Sequence, residues 1–539
     1  MPELVPSLYE QTSDSQKYFI ARVENTKILS YSVNSQSHNT VFSIRIVAIS
    51  YTSSLTKSRE MIVYKFGGAT TRTARGLDTL VEIVRTAHVD ELRRARRSSS
   101  LTGLVLVISA IGHTTRYLHR TAEASEQGNL IAASELIERI ANQHEQLLAA
   151  LKLPSSTALE VRAEFSKCTL EIRALSEGVN ITRELSPRVR DTFLSYGERL
   201  AFTLITALLE ERGIPIKAID ARELVVTNEE FNNAAPLLEE TTERACELII
   251  PKLEHSKVVV TQGFIGATRD GITTTMGSES SDLSATLLGR ALGAREIVIW
   301  KSVQGIYSSD PELIPHAKLI TNLSFAEAEE IGRRGAQVLH KATVQPLQTM
   351  EPKVLLRVAA PNAKSKRSSQ IQLALGVNVR KPRPLALAVE KHLIPLKLER
   401  RFEGDAITGE TLAIQVLSTK EKKERESSRR AIRRATFVWS TESEILLLAK
   451  KYLKTEIVRD LGTSEFRVTE QPPLCSISLV VRTPEGKSNY SALRQQMRRS
   501  LRQFNLYAFF QVEHSLVAIL EESEVIPALR KLHRVFFGI

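Results

Sequence analysis

Two short runs of β-branched and apolar residues, 257–261 (KVVVT) and 296–300 (EIVIW), flank one amphipathic segment, and this pattern restricts the fold most. Such runs are typical of strands buried on both faces of a parallel sheet. The segment between them carries Leu283, Leu287, Leu288, Ala291 and Leu292 on one apolar face, with Ser281 and Asp282 as helix-capping types at its start. Ahead of the helix stand Gly263, Gly266, Gly271, Thr273, Thr274, Thr275, Gly277 and then 278–282 (SESSD). That loop offers backbone N–H groups, hydroxyls and one carboxylate at a helix N-terminus, where phosphate binds readily. Taken alone, it is equally an ordinary βαβ crossover with a flexible loop.

The alternation extends to both sides. Residues 62–66 read as a strand running into Gly67-Gly68, then a helix with Leu77, Leu80, Val81 and Val84 on one face. Residues 104–109 read as a second buried strand, followed by the polar turn Gly112-His113-Thr114-Thr115. One long helix is expected from about Arg120 to Leu151, and another over 191–209, carrying Tyr196, Gly197, Glu198 and Arg199. Residues 216–220 read as a strand. Strands separated by helices imply an α/β fold with a mainly parallel sheet covered on both faces. Beyond about Pro346 shorter strands and helices take over, including a strand over 514–520 and a helix marked by Val525, Leu529 and Leu532. Residues 364–369 and 380–384 read as surface loops.

The chain of 539 residues has room for two to four domains. No run approaches the ~20 apolar residues of a membrane-spanning helix, so no membrane partner is expected. Cys168, Cys246 and Cys475 are scattered without metal-ligand spacing, which argues against a disulfide framework or zinc site and for a reducing, cytoplasmic setting. A net charge of +12 suits either nucleic acid or small anionic nucleotides. The densest basic run, 420–434, has eight Lys/Arg against three Asp/Glu and no aromatics, so it reads as a solvated helix face and no nucleic-acid partner is expected. Residues 1–60 hold 12 serines, but Glu3, Glu10, Asp14 and Glu24 fit a transit peptide poorly, and no secretory signal opens the chain. Met61, just ahead of the strand at 62–66, is the expected natural start, with 1–60 a non-catalytic extension.

Lys65-Phe66-Gly67-Gly68 lies at a strand-to-helix junction. Two glycines let backbone approach a phosphate closely, and the neighbouring ammonium can neutralise charge on a transferred phosphoryl group. It is not a Walker A loop, because GxxxxGK[ST] is absent. As a short string it is also an ordinary turn. His113, His316 and His340 read as loop or packing residues rather than general bases.

The order of the strings is more specific than any one of them. KFGG (65–68), VISA (107–110), SYGERL (195–200), IDAR (219–222), GFIG (263–266), TTTMG (273–277), SD (281–282), VQGIYSSDP (303–311) and GAQVLH (335–340) follow one another. This series resembles the aspartokinases of the amino-acid kinase superfamily, whose strings are KFGGTS, VVSA, S-x-GE, LDAR, GFIG, TTLGRGGSD, W-TDV-x-GIYTTDP and GAKVLHP. The tail from Asn505 to Gly538 resembles the closing part of an ACT regulatory module. The resemblance implies an αβα sandwich over 61–365 and ferredoxin-like (βαββαβ) ACT modules over 385–539, the second around 470–539.

It also implies ATP-dependent phosphorylation of the aspartate side chain to 4-phospho-L-aspartate, the entry to lysine, threonine and methionine synthesis, with feedback by an amino-acid effector. ATP and Mg²⁺ are the implied cofactors, and a homodimer through the ACT modules is the implied assembly. Carried over by position, Lys65 and Asp282 are catalytic, and Glu198, Thr70 and Ser281 bind the substrate. Lys65, Gly67, Gly68, Thr273, Thr274, Thr275, Tyr307 and Asp310 bind the nucleotide; no residue is assigned as a metal ligand. As a bare residue Asp282 reads as a helix N-cap, and the two roles are compatible.

The chain departs from the pattern at several places. Ser278 replaces the arginine expected to hold the substrate α-carboxylate, and Glu279 adds negative charge beside it. Lys301-Ser302 replaces Thr-Asp, Glu312 replaces an arginine, and KFGGTS has become KFGGAT, leaving Thr70 to play the hydroxyl part. Arg116 and Arg183 are candidate substitutes for the arginine lost at 278. Two other readings therefore stay open: a kinase for a different acidic amino acid, or a kinase-like protein that binds an effector without turnover.

Overall fold

The computed structural model describes residues 9–13, 16–23, 26–28, 59–277, 279–335, 339, 341–348, 354–361, 368–372, 381–400, 437–440, 445–450, 466–483, 490–512 and 514–538. Most of 1–58, Ser278, Gln337, His340, residues 364–367 and the basic run 420–434 lie outside them. Strands β1 (Tyr9–Ser13), β2 (Gln16–Val23) and β3 (Thr26–Ile28) form a small antiparallel sheet of their own.

The main unit runs β4 (Arg59–Phe66), α1 (Gly68–Thr71), α2 (Ala74–Ala95), β5 (Leu101–Ile108), α3 (Thr114–Glu126), α4 (Leu130–Leu151), α5 (Ser155–Thr182) and α6 (Pro187–Glu211). It continues with β6 (Lys217–Ala218), α7 (Ala221–Leu224), α8 (Leu238–Ser256), β7 (Val258–Gln262), β8 (Ile265–Ala267), β9 (Thr273–Thr275), α9 (Ser281–Leu292) and β10 (Glu296–Trp300). It closes with β11 (Asn322–Ser324), α10 (Phe325–Arg333), β12 (Leu355–Ala359) and β13 (Ser369–Gln372). Eight strands form one sheet in the order β11-β13-β12-β10-β4-β5-β7-β6, parallel except for the β12–β13 pair.

Successive residues of the central strands enter opposite cores, as the period of two requires. Ile62, Phe66, Leu104, Leu106, Ile108, Val258 and Val260 pack with α2–α6. Met61, Val63, Val105, Val107 and Val259 pack with α8, α9 and α10. The result is an αβα sandwich.

Several boundaries differ from the sequence expectation. β4 begins at Arg59, which pairs with Leu101, so Met61 lies inside the strand as a fully buried core residue rather than ahead of it. The long helix expected from Arg120 to Leu151 is two helices. Gly128 takes a left-handed turn (φ +79°), and the Asn129 side chain then caps α4 by accepting from the Ala132 N–H at 3.0 Å. The strand expected over 216–220 keeps only Lys217 and Ala218, because the Asp220 side chain caps α7. Ser368 and Ser369 are buried, not on a surface loop, and Arg383 and Pro384 already belong to the next strand.

A second, antiparallel sheet follows. Its long strand β14 (Arg383–Arg400) pairs with β16 (Ile445–Lys450) and β17 (Phe466–Glu470) along its second half, and β15 (Phe437–Ser440) adds to β16. Its first half pairs with β18 (Leu474–Arg482), which continues through α11 (Ser491–Ser500), β19 (Leu506–Val512), β20 (Ser515–Glu521) and α12 (Glu522–Phe537). The order β14-β18-β20-β19, with α12 packed on the sheet and against α11, is ferredoxin-like. Its fourth strand is lent by β14, from before the unit in sequence. A register shift between Glu390 and Leu393, with His392 at φ +55°, separates the two halves of β14.

This module is fastened to the first unit. Arg482 donates to both carboxylate oxygens of Glu327 at 2.6 and 2.9 Å, and Ser515 donates to Glu330. The Ser308 hydroxyl meets His533 of α12 at 3.1 Å, and the Leu387 N–H donates to the Ser308 carbonyl at 2.8 Å. Arg482→Ala and Glu327→Ala are each expected to destabilise the protein. Their double variant should reveal a coupling of about 1–3 kcal/mol in chemical unfolding; additive losses would mean that the pair does not join the modules.

Candidate active site

Four parallel strands end level with one another, since Trp300 of β10 pairs with Phe66, Phe66 with Ile108 and Ile108 with Gln262. The next residues, Lys301, Gly67, Ser109 and Gly263, therefore leave the sheet side by side at its carboxyl edge, where open α/β sheets carry their sites. The edge is tied across. The Gly67 N–H donates to the Trp300 carbonyl at 3.2 Å, and the Gly263 N–H to the Ile108 carbonyl at 2.7 Å.

The first turn of α9 crosses these strand ends. Gly263 permits it, because a Cβ there would lie 2.8 Å from the Ser281 Cβ and 2.9 Å from its Cα. The Ser281 hydroxyl lies 3.2 Å from that of Ser109, and the Phe264 N–H donates to Ser284. Asp282 is thereby aimed at the strand ends and is 1% exposed. One oxygen pairs with Lys65 at 2.7 Å and the other with Lys301 at 2.8 Å. Burial opposes its charge, but the Lys301 and Lys65 ammoniums outweigh it and hold the carboxyl down at about 2. Asp282 is thus not the N-cap: Ser280 occupies that position without a side-chain cap bond, and the carboxylate faces the lysines instead.

Gly68 lies against the second strand end. A Cβ on it would come within 2.2 Å of the Ala110 carbonyl, so only glycine fits, and the Gly112 N–H donates to the Gly68 carbonyl. The Thr70 hydroxyl turns back to the Gly67 carbonyl at 2.6 Å and tightens the loop. Glu198 approaches Ala110 from α6, where Gly197 allows close contact. The Ala110 N–H donates to one carboxyl oxygen of Glu198 at 3.2 Å, while the other is buried without a partner. Burial pushes this carboxyl up to about 8, against the pull of that N–H and of Lys65.

The three threonines divide their work. Thr275 donates its hydroxyl and its N–H to Asp191 of α6, and the Thr274 hydroxyl pairs with Thr227 at 2.8 Å. Both hydroxyls are therefore engaged by the protein, and only Thr273 is partly exposed, within 3.5 Å of Arg222. Asp191 also accepts from the Asn232 N–H and pins this hairpin to α6. Tyr307 and Asp310 lie farther along the loop after β10, in the part that meets β14 and α12. The Asp310 carboxylate caps the Glu312 N–H at 2.9 Å. Neither forms a hydrogen bond or ion pair with the Lys65–Asp282 cluster among the described residues.

Arg183 is displaced from the site, its guanidinium lying over Gly128 at the far end of α3. Arg116 is exposed on the first turn of α3, and Glu279 is exposed, so its charge is hydrated.

A sequence model of the Amino acid kinase family matches residues 60–357, more than half of the chain. The chain belongs to this family. Lysine-sensitive aspartokinase 3 of Escherichia coli is 33% identical over 287 residues, 53% of this chain and 59% of that protein. Aspartokinase 1, chloroplastic, of Arabidopsis thaliana is 30% identical over 294 residues, 54% and 48% of the respective chains. The chain thus spans roughly half to three-fifths of the curated relatives it matches. The structure of E. coli aspartokinase III in complex with aspartate and ADP (R-state) is 24% identical with a TM-score of 0.73, covering 89% of this chain and all of that one. The same enzyme in complex with lysine and aspartate (T-state) gives a TM-score of 0.62 over 88% of this chain and 99% of that one, again at 24% identity. These likenesses extend the shared fold through the second sheet.

Within this amino-acid-kinase fold, the roles of three contributors are not legible from the motif strings. Lys301 stands out only once β10 is known to lie beside β4. The Ala110 N–H and the Asp191 carboxylate act through tertiary contacts that no spacing encodes.

Asp282→Asn leaves two enclosed ammoniums without a counter-charge and is expected to cost about 3–5 kcal/mol in urea unfolding at pH 7. Because the Asp282 pKa is depressed, the wild-type advantage is complete above the ordinary value near 3.8 and fades as the pH falls towards 2. Equal stability of the two proteins at pH 7 would remove the pair as an anchor.

Proposed function

We propose that this protein is an aspartate kinase that transfers the γ-phosphoryl group of ATP to the side-chain carboxylate of L-aspartate. The observation that carries this reading is the Lys65–Asp282–Lys301 cluster. It sits at the carboxyl edge of the sheet beside a glycine turn and an unsatisfied buried glutamate. Carboxylate attack on ATP brings two anions together, so catalysis is chiefly charge compensation and alignment. A carboxylate needs no general base at neutral pH.

The site suits nucleotide phosphates. A Cβ on Gly67 would lie 3.6 Å from the Lys65 Nζ, so its absence keeps open the space beside that ammonium, and two ammoniums supply positive charge. The described residues contain no group of three His/Cys/Asp/Glu that could hold a metal, and both Asp282 oxygens face lysines. Mg²⁺ would therefore arrive on the phosphates, where it supplies further neutralisation of their charge. The buried, unpaired oxygen of Glu198 suits the ammonium group of an amino acid, and the ionised form is the one that binds it. Thr70 and Ser281 flank the same strand ends.

The second sheet would bind an amino-acid effector and bias the kinase through its contacts at Ser308, Glu327 and Glu330. Among the described residues β19 stands at the edge of this sheet, a position that favours sheet extension by a second copy and so a homodimer. The three free cysteines support a reducing, cytoplasmic setting. Among the described residues no helix is long and apolar enough to cross a membrane.

Purified protein with ATP, Mg²⁺, aspartate and hydroxylamine should form aspartyl hydroxamate, and Lys65→Ala should abolish it. Product from another acid but not from aspartate would move the substrate while keeping the site. Binding of ATP without any turnover would overturn the enzymatic reading.

Glu198 also sets a pH dependence. Its folded pKa of about 8 keeps it largely protonated at neutrality, so KM for aspartate should fall as pH rises towards 8 and then level off. Glu198→Gln should raise KM and flatten that profile; an unchanged profile would exclude Glu198 as the ammonium partner.

A further inference from the structure

Lys301 stands where the related strings carry a neutral threonine, while the cations they carry at 278 and 337 are absent from this chain. Its position is set by the sheet rather than by a mobile loop. The carbonyl of Trp300 accepts from the Gly67 N–H at 3.2 Å, and the Lys301 N–H donates to the Ala359 carbonyl at 2.9 Å. The backbone is thus clamped on both sides, to the end of β4 and the end of β12. Trp300 stacks on Phe66, with ring centroids 5.9 Å apart, and holds the two strand ends together. From this point the side chain reaches Asp282 and is only 18% exposed.

The charge count is the informative part. Two enclosed ammoniums share one carboxylate, so the cluster carries an excess positive charge. Enclosing a second ammonium has a desolvation cost, which an anionic ligand beside it would offset. Glu198, the other buried carboxyl nearby, is held mostly neutral by burial and does not offset the excess. The excess charge suits an anionic ligand beside the two lysines, where Gly67 keeps the space next to the Lys65 ammonium open.

We propose that Lys301 is a second catalytic cation, which contacts the γ-phosphoryl group alongside Lys65 while Asp282 holds the two ammoniums in position. The proposal rests on reading this site as a phosphoryl-transfer centre. In the transfer, an oxygen of the acceptor carboxylate forms a bond to the γ-phosphorus, and the bond from that phosphorus to the β–γ bridging oxygen breaks. The bridging oxygen keeps the electron pair and leaves on ADP. No proton moves. Two lysines on the equatorial oxygens neutralise charge that one alone would meet only in part.

The test compares wild type with Lys301→Met, Lys301→Arg and Lys301→Thr in the full chain. Binding of Mg·ADP and Mg·ATP is titrated by calorimetry without any acceptor acid, and kcat is measured by the hydroxamate assay. Lys301→Met should leave ADP affinity within about twofold, weaken ATP about tenfold, and lower kcat about 10²-fold, the scale for removing one charge-stabilising donor. Lys301→Arg should recover much of both losses, and Lys301→Thr should not.

Equal loss for ADP and ATP would reduce Lys301 to a structural part of the site and overturn the proposal, as would unchanged ATP affinity together with unchanged kcat. Should the Met variant fail to fold, Lys301→Gln, uncharged but still able to donate to Asp282, gives the same ADP-to-ATP comparison. The nucleotide titrations use no amino acid. Failure of aspartate as substrate therefore leaves them valid, and failure of Lys301 leaves the hydroxamate result valid.

Discussion

The ion cluster of Asp282 with Lys65 and Lys301 is the interaction on which the functional architecture depends. Each member belongs to a different element: the end of β4, the first turn of α9, and the exit from β10. A buried carboxylate is tolerated only if it is compensated, so the three elements must meet at one point for the fold to be stable. The glycines around it serve the same convergence. Gly263 lets α9 cross the strand ends, and Gly68 lets the first turn after β4 rest on Ala110.

That convergence also links the site to the second sheet. The loop that begins with Lys301 continues to Ser308, which contacts both β14 and α12. One stretch of chain therefore has its start in the ion cluster and its middle in the interface with the second sheet. A displacement of α12 would act on a segment whose first residue pairs with Asp282. The contacts of Arg482 and Ser515 with Glu327 and Glu330 of α10 provide a second connection between the two sheets.

Much of the architecture was legible in the chain. Apolar runs at 62–66, 104–109 and 296–300 announced the parallel sheet, because strands covered on both faces cannot alternate with polar residues. The break between α3 and α4 was missed because Ala, Glu, Leu and Gln continue helically across it. Only the left-handed turn at Gly128 and the cap at Asn129 interrupt them. The end of β6 was overrun for a related reason, since Asp220 reads as part of an apolar stretch until its side chain is seen capping α7. Thr274 and Thr275 look equivalent to Thr273 in a string of three. The tertiary neighbours Thr227 and Asp191 take up the first two and leave the third partly exposed.

By itself the sequence determined the βαβ grammar, the glycine turns and the presence of Lys65, Glu198 and Asp282, because propensity, periodicity and backbone sterics are local. Only the tertiary structure decided that Asp282 faces two lysines instead of capping its helix, that Glu198 is held neutral against Ala110, and that β14 completes a ferredoxin-like unit lying after it in the chain. Those outcomes depend on which strand ends lie side by side and on how deeply charges are enclosed. Register and desolvation are properties of the packed molecule, and no spacing along the chain carries them.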